Sequence, residues 1–490
     1  MIYLSTVQRV AKNTGIIIAG DIIFRLISLI VTIYLARYLG TVGFGKYSFV
    51  FAYLAFFNTL TDLGLQQILV REMARDPAIV PKLIGNAFII RLILTVIAVV
   101  SSLVVITLML YPADTTTYVY IAAFTMVFIS FNDFYATIFR ANLRMEYSII
   151  AKLVFKFLSA GLIFWIIFSH GTLMQVIIVL VFSEMVKMLI SYSFSKKFVI
   201  PKFEIDFGLW KYLFKEALPL ALYSVIWIIH SRIDVVMLSM MQGDATVGIY
   251  SAAYKLSEPL SLIPAALTIS LFPIMSASFK SSRERLIKTY KLGIKYILII
   301  TLPIAIGTTL IADKVILLIY GIEFTNSTTV LQILIWALVF TSGSHVLIDL
   351  LVSMEKQKLN TVSIALCAIV NVALNFFLIP ILSYNGASIA TVATNVVLFI
   401  ASFYFISKHL KVLPIHKILV KPVISGLMMA AFIYFFININ IFLLILLAGI
   451  VYLMALLTLR TFSKEDIEMI KKIANSQKLS AFMRMRGINK

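Results

Sequence analysis

The dominant pattern in the sequence is a series of long apolar windows separated by short polar stretches. Each window has about 18 residues or more, which is enough for a helix to cross the ~30 Å hydrocarbon core of a bilayer. Fourteen such windows lie between residues 14 and 459. The pattern therefore predicts an all-α polytopic membrane protein with about 14 transmembrane helices.

The longest polar connection divides these windows into six and eight. We expect five regions, namely an N-terminal six-helix lobe (1–195), a basic cytoplasmic linker (196–216), a C-terminal six-helix lobe (217–410), two additional transmembrane helices (411–460) and a basic cytoplasmic tail (461–490). A weak internal repeat supports two lobes, because Gly45-Lys46-Tyr47-Ser48 resembles Gly248-Ile249-Tyr250-Ser251. Some transporters use two such lobes in the same orientation, with the substrate site between them.

Composition and charge agree with a membrane location. The chain is 61% hydrophobic and 13% charged, with a mean hydropathy of +1.02 and a net charge of +20. If the N-terminus is inside, the 42 lysines and arginines fall almost entirely in inner segments, and only Arg37, Lys46 and Lys314 fall in outer loops. This is the positive-inside distribution. It predicts a multi-pass protein of the cell membrane with both termini cytoplasmic, and it argues against nucleic-acid binding.

Charged residues inside the predicted spans indicate a cavity. An ionised side chain at mid-membrane costs at least ~2.5–3.5 kcal/mol, so such residues usually face water or a ligand. Arg232, Asp234, Lys255 and Glu258 lie in one predicted hairpin. Lys255 and Glu258 are spaced to pair, whereas Arg232 and Asp234 point to different sides of their helix. Prolines just after Lys255 predict a bend.

Several other residues allow both a functional and a structural interpretation. Asp21 and Arg25 are four residues apart, so they either pair with one another or line the transport path. Tyr250 and Tyr254 could stack on sugar rings, although interfacial tyrosines are common. Three further residues are candidates for proton or sodium coupling or are packed in the bundle: His345, Asp349 and Asp62.

A charged cluster follows the second window. Arg71, Glu72, Arg75 and Asp76 are expected at a cytoplasmic helix end, where arginine could hold a lipid-linked phosphate. The alternative is a solvated charge run that sets topology.

The sequence contains no catalytic signature that we recognise. Paired carboxylates on an outer loop, a serine–histidine–aspartate order, a phosphate loop and metal-ligand spacing are all lacking. A single cysteine, Cys367, cannot form an internal disulfide. We therefore expect no enzymatic activity, no cofactor and no metal site.

The motifs together resemble Wzx-type polysaccharide biosynthesis flippases. The resemblance is carried by the run Leu39 to Phe49, by Asp62-Leu63-Gly64-Leu65, by the Val247 to Leu256 run, and by Asn371 with Asn375. It implies the multidrug/oligosaccharidyl-lipid/polysaccharide exporter superfamily. It also implies alternating access that moves a polyprenyl- or dolichyl-linked oligosaccharide across the membrane. Family expectation assigns the carrier phosphate to cavity cations, here Arg25, Arg232 and Lys255.

Three functions therefore compete. The first is a flippase for a lipid-linked oligosaccharide, with membrane lipids and other glycan-assembly proteins as partners. The second is an ion-coupled exporter of small cationic or amphipathic compounds on the same architecture. The third is a membrane glycosyltransferase or polymerase, which the short outer loops disfavour.

Overall fold

The computed structural model describes residues 2–410 and 413–462, with side chains described from Gly20 onward. These ranges contain no β-strand. Most of the predicted basic tail, residues 463–490, lies outside them. The fifteen helices are α1 (Ile2–Leu60), α2 (Leu65–Arg75), α3 (Val80–Leu108), α4 (Ala113–Ala122), α5 (Phe124–Ala141), α6 (Met145–Phe168), α7 (Leu173–Ser195), α8 (Phe207–Gln242), α9 (Asp244–Ser257), α10 (Leu262–Ser281), α11 (Arg283–Tyr320), α12 (Ser327–Ser353), α13 (Gln357–Ser407), α14 (Ile415–Phe435) and α15 (Ile441–Thr458).

The predicted number of membrane crossings is confirmed. Twelve helical segments of the described chain are long and apolar enough to span a bilayer. Two of them contain a sharp break, at Gly40 in α1 and at Ser383 in α13, where the backbone has positive φ. Gly20–Leu60 has 41 residues and α13 has 51. At 1.5 Å per residue each is about twice the bilayer core, so the twelve segments make fourteen crossings.

The second predicted window is shorter in the structure than in the sequence pattern. Helix α1 ends at Leu60, and a turn leads into the separate helix α2. Helix α2 is amphipathic, with Leu65, Ile68, Leu69 and Met73 buried. One-sided burial of this kind is typical of a helix that lies on a bundle rather than within the apolar layer.

The predicted bend near the prolines of the eighth window is present. Helix α9 ends at Ser257, and a 3₁₀ turn over Glu258–Ser261 precedes α10. Pro259 lies in the first turn of this segment, where its missing N–H breaks the ladder of hydrogen bonds. Lys255 and Glu258 therefore lie on either side of a break between two helices.

Helix α8 contacts both halves of the bundle. Leu213 and Ala217, near its start, are buried against α2, α3 and α5. Further along, Tyr223 and Trp227 pack against α13 and α12. Pro219 interrupts the helix between these two regions. The predicted linker 196–216 thus includes the first turns of α8, which pack on the N-terminal half.

The weak internal repeat is a structural repeat. Gly40 and Gly243 have nearly the same backbone conformation, with φ of 66° and 84° and ψ near 180°. Five residues after each turn comes a glycine, Gly45 or Gly248. A Cβ on Gly45 would lie 1.8 Å from the carbonyl oxygen of Asp244, and one on Gly248 would lie 1.9 Å from that of Thr41. The second arm of α1 and helix α9 therefore cross in backbone contact, each through its own glycine.

We predict that Gly248→Ala destabilises the protein, because the added carbon must separate two backbones. Overpacking of this kind costs about 1–3 kcal/mol. Thermal unfolding of the detergent-solubilised protein measures the effect. Gly449→Ala is the matched control, because a Cβ there meets no atom within 4 Å. Equal melting temperatures for the two variants would show that the crossing tolerates a side chain.

Candidate functional site

Three of the predicted cations lie at a similar depth in the bundle. Arg25 precedes the Gly40 turn by 15 residues, Arg232 precedes the Gly243 turn by 11, and Lys255 follows the latter by 12. These separations correspond to about 16–22 Å along a helix axis. The three residues therefore lie near the middle of the layer that the helices span. They are separated along the helix axes from the contact at Gly45 and Gly248.

A first cavity of about 310 Å³ is basic. It is lined by Arg25, Lys152, Lys255 and Glu258, together with Ser28 and Thr32 on α1. Lys255 Nζ is 3.1 Å from Glu258 Oε2, which confirms the predicted pairing. Arg25 is exposed and forms no ion pair with a described residue. Among the described residues, this cavity accordingly presents a guanidinium without an ion-pair partner, between the N-terminal half and helix α9.

The basic character of this cavity extends to helix α6. Lys152 Nζ lies 4.5 Å and Lys156 Nζ lies 5.2 Å from the centre of the Phe24 ring. Asp21 pairs with Lys152 rather than with Arg25, although all three are close in space. Four cations around the cavity are thus set against two carboxylates, Asp21 and Glu258. The balance favours an anionic ligand.

A second cavity of about 290 Å³ adjoins the first through Glu258. Its lining includes Trp227, His230, Asp234, Tyr254 and His345. Asp234 lies at the edge of this space and is only 3% exposed. Its carboxylate accepts a hydrogen bond from the hydroxyl of Tyr250, which is itself fully buried. Asp234 therefore has a fixed partner inside the C-terminal half.

A third cavity of about 270 Å³ lies on the N-terminal side of Trp227. It is lined by Asp62, Arg91, Asp133, Tyr223 and Trp227, among others. Arg91 is 2% exposed, and its Nη1 donates to Asp62 Oδ1 at 2.5 Å. Trp227 borders both this cavity and the second one, so its indole ring separates them.

Some of the other predicted site residues do not line the basic cavity or the second cavity. Tyr250 has no exposed surface for stacking. Arg232 lies over the Tyr254 ring, with its guanidinium carbon 5.6 Å from the ring centre. His345 faces the second cavity, whereas Asp349 is not part of the lining. Among the described contacts, His345 and Asp349 form no hydrogen bond with one another.

The predicted charged cluster, Arg71, Glu72, Arg75 and Asp76, connects α2 to α8 through salt bridges and hydrogen bonds. Arg71 contacts both Glu72 and Glu216 at 2.8 Å, and the Tyr212 hydroxyl donates to Glu72 at 3.0 Å. Arg75 also reaches Glu72, and Asp76 caps the next turn. Partial burial opposes ionisation of Glu72, but the Arg71 guanidinium and the Tyr212 hydroxyl outweigh it and lower its pKa. The arginines are thus engaged within the protein.

Sequence reasoning missed three features of the site, namely Lys152 with Lys156, the buried Arg91, and Trp227. The positive-inside distribution groups these lysines with the inner positive charges, although their i, i+4 spacing within the fifth window indicates one helix face. The same distribution groups Arg91 with the inner positive charges, although the structure places it inside helix α3. Nothing in the local sequence distinguishes Trp227 from a packed aromatic residue.

The fold and the charged cavity between two helical halves define a multi-helix protein of the membrane-spanning class with a polar internal cavity. The described backbone aligns with a solved structure of the lipid II flippase MurJ in an inward closed conformation, with a TM-score of 0.75 over 89% of this chain and 97% of that one. The two sequences are 15% identical. This likeness concerns the fold.

The chain belongs to the polysaccharide biosynthesis protein family, whose model matches residues 10–279, more than half of the chain. The MatE family model matches residues 219–377. Two relatives from Haloferax volcanii are a probable low-salt glycan biosynthesis flippase and a probable flippase. They are 22% and 24% identical over 48% and 49% of this chain. The matched region spans about half the length of these relatives, 51% and 53% respectively.

We predict that Asp62→Asn lowers the stability of the protein substantially, because it removes the carboxylate to which the buried Arg91 guanidinium is hydrogen-bonded. Breaking a buried ion pair from one side typically costs about 3–5 kcal/mol. Thermal unfolding measures the loss. The control is Glu204→Gln, which breaks a largely exposed pair with Lys202 and should change the melting temperature far less. Equal effects would contradict a structural role for the Arg91 pair.

Proposed function

We propose that this protein is a flippase that moves a polyprenyl- or dolichyl-phosphate-linked oligosaccharide across the cell membrane by alternating access. The observation that carries the proposal is the basic cavity, in which Arg25, Lys152 and Lys255 surround one space between the two halves. Membership of the polysaccharide biosynthesis family and the names of the Haloferax volcanii relatives support the same cargo class.

The proposed division of labour follows from charge. Arginine and lysine hold phosphate through charge-assisted hydrogen bonds, so the basic cavity receives the carrier phosphate. The adjoining cavity, with hydroxyl, amide and aromatic side chains, receives sugar units. The hydrocarbon tail of the carrier stays in the lipid. In this proposal the protein moves an intact substrate and acts as a transporter rather than as an enzyme, while other glycan-assembly proteins supply and remove the cargo.

The proposed lobes are residues 1–195 and 217–410, with 411–460 as an added pair and both termini cytoplasmic. Helices α14 and α15 pack on α11 and on one another, which is consistent with an addition outside the central cavity.

Ion-coupled export of small cationic compounds is the second candidate. It is favoured by the match of the MatE model to residues 219–377 and by Asp234 and Glu258 in the second cavity. Uptake assays with cationic dyes in vesicles separate the two candidates. Dye transport that is unaffected by a lipid-linked oligosaccharide would favour the second.

We predict that Arg25→Gln reduces flipping of a fluorescent lipid-linked oligosaccharide in proteoliposomes by about tenfold or more. Each charge-assisted hydrogen bond contributes about 1.5–3 kcal/mol. The matched control is Arg37→Gln on the same helix, because Arg37 donates to the Leu318 carbonyl near the Gly40 turn, away from the cavity. Equal rates for both variants and for the wild type would remove the phosphate role from the basic cavity.

Coupling to an ion gradient is a further part of the proposal, with His345 as the proton carrier because it faces the same cavity as Asp234. We predict that an imposed pH gradient accelerates flipping by the wild type and that His345→Ala abolishes this response. The control is His170→Ala in an exposed turn. Transport that ignores the pH gradient but responds to a sodium gradient would assign coupling to sodium instead.

A further inference from the structure

An apolar pocket lies outside the central cavities, at the end of the N-terminal half where α7 leads into α8. Its volume is about 640 Å³, and its lining comes from α3, α5, α7 and the connection that follows α7. Aromatic and aliphatic side chains dominate, including Phe88, Phe134, Tyr192, Val199 and Phe203. The transport cycle proposed above does not use this space.

The connection that closes one side of the pocket is held in place. The amide of Lys202 donates to the carbonyl of Pro81 at 2.9 Å, and that of Asp206 donates to the Asn86 side chain at 2.9 Å. A Cβ on Gly85 would lie 1.9 Å from the Lys202 carbonyl oxygen. The backbone of the connection therefore rests directly on α3, and the pocket is preformed.

The same connection exposes large apolar side chains to the surroundings. Ile200, Phe203, Ile205 and Phe207 are 82%, 62%, 61% and 73% exposed. Exposed apolar side chains that cluster beside membrane-spanning helices are typical of a segment at the boundary between headgroups and hydrocarbon. The mouth of the pocket is thus at the lipid interface rather than in bulk water.

The rim of the pocket is basic. Lys196 is part of the lining, and its Nζ lies 4.2 Å from the centre of the Tyr192 ring. Lys197 and Lys202 are exposed nearby. An apolar chamber with a cation at its mouth is complementary to a molecule with a hydrocarbon chain and an anionic head. Anionic lipids attract lysines at this level of the membrane.

We propose that this pocket binds one hydrocarbon chain of an anionic phospholipid from the adjacent leaflet, with the lipid phosphate at Lys196. A bound lipid would then fill the space between the N-terminal half and the connection to α8. This proposal does not depend on the cargo of the central cavity.

The test is native mass spectrometry of the full-length protein, delipidated and then titrated with phosphatidylglycerol or phosphatidylcholine. We expect preferential binding of phosphatidylglycerol. Lys196→Gln should weaken it about fivefold, the effect of one lysine near an anionic lipid surface. Val199→Trp should weaken both lipids because the indole fills the pocket.

The matched control is Lys197→Gln. It removes the same charge one residue away, but Lys197 lies over the Tyr147 and Phe194 rings at 5.8 and 5.4 Å and is not part of the pocket lining. Equal weakening by Lys196→Gln and Lys197→Gln would overturn the proposal, as would equal affinity of the wild type for both lipids. Tight binding of undecaprenyl phosphate that excludes phosphatidylglycerol would overturn it too, because the pocket would then serve a substrate chain. Melting temperatures show whether each variant is folded, and the surface change Lys196→Gln decides the matter if Val199→Trp does not fold.

Discussion

The backbone contact between the second arm of α1 and helix α9 is the constraint on which the arrangement of the two halves depends. At this crossing each helix contributes one glycine, and each glycine faces a carbonyl oxygen of the other helix. Any larger residue would push the helices apart by the width of a side chain. Because the halves meet so closely here, the space between them can widen only farther along the helices, where the basic cavity and the third cavity lie.

The cavities differ in charge because some of the charged side chains inside the bundle have a partner of opposite charge or a hydrogen-bond donor, whereas others do not. In the N-terminal half, Arg91 is paired with Asp62, and Lys187 is paired with Glu184 at 2.5 Å. In the C-terminal half, Asp234 is held by Tyr250. Arg25 has no comparable carboxylate among the described residues. A cation that lacks a carboxylate partner among the described residues is costly inside the membrane layer, and this cost is the reason for proposing that an anionic ligand binds there.

Helix α8 packs against both halves of the bundle and so connects them. Its first turns are held to α2 by the salt bridge between Arg71 and Glu216 and by burial of Leu213, whereas Trp227 farther along lies between two cavities. Pro219 lies between these regions. In the proposed transport cycle, a relative movement of the halves would bend this helix near Pro219 or break its packing at one end.

The sequence by itself determined the number of crossings, the break before Pro259 and the presence of ions within the spans, because each of these follows from residues close together in the chain. Only the tertiary structure decided which ion meets which partner. Asp21 pairs with Lys152, 131 residues away, and not with Arg25 one turn along the same helix. Tyr250, which the local pattern offered as a sugar platform, is enclosed by Asp234 and Thr391. Hydropathy reports how deeply a helix is embedded, but its rotation and its neighbours depend on side chains that are remote in sequence, and those contacts form only when the bundle assembles.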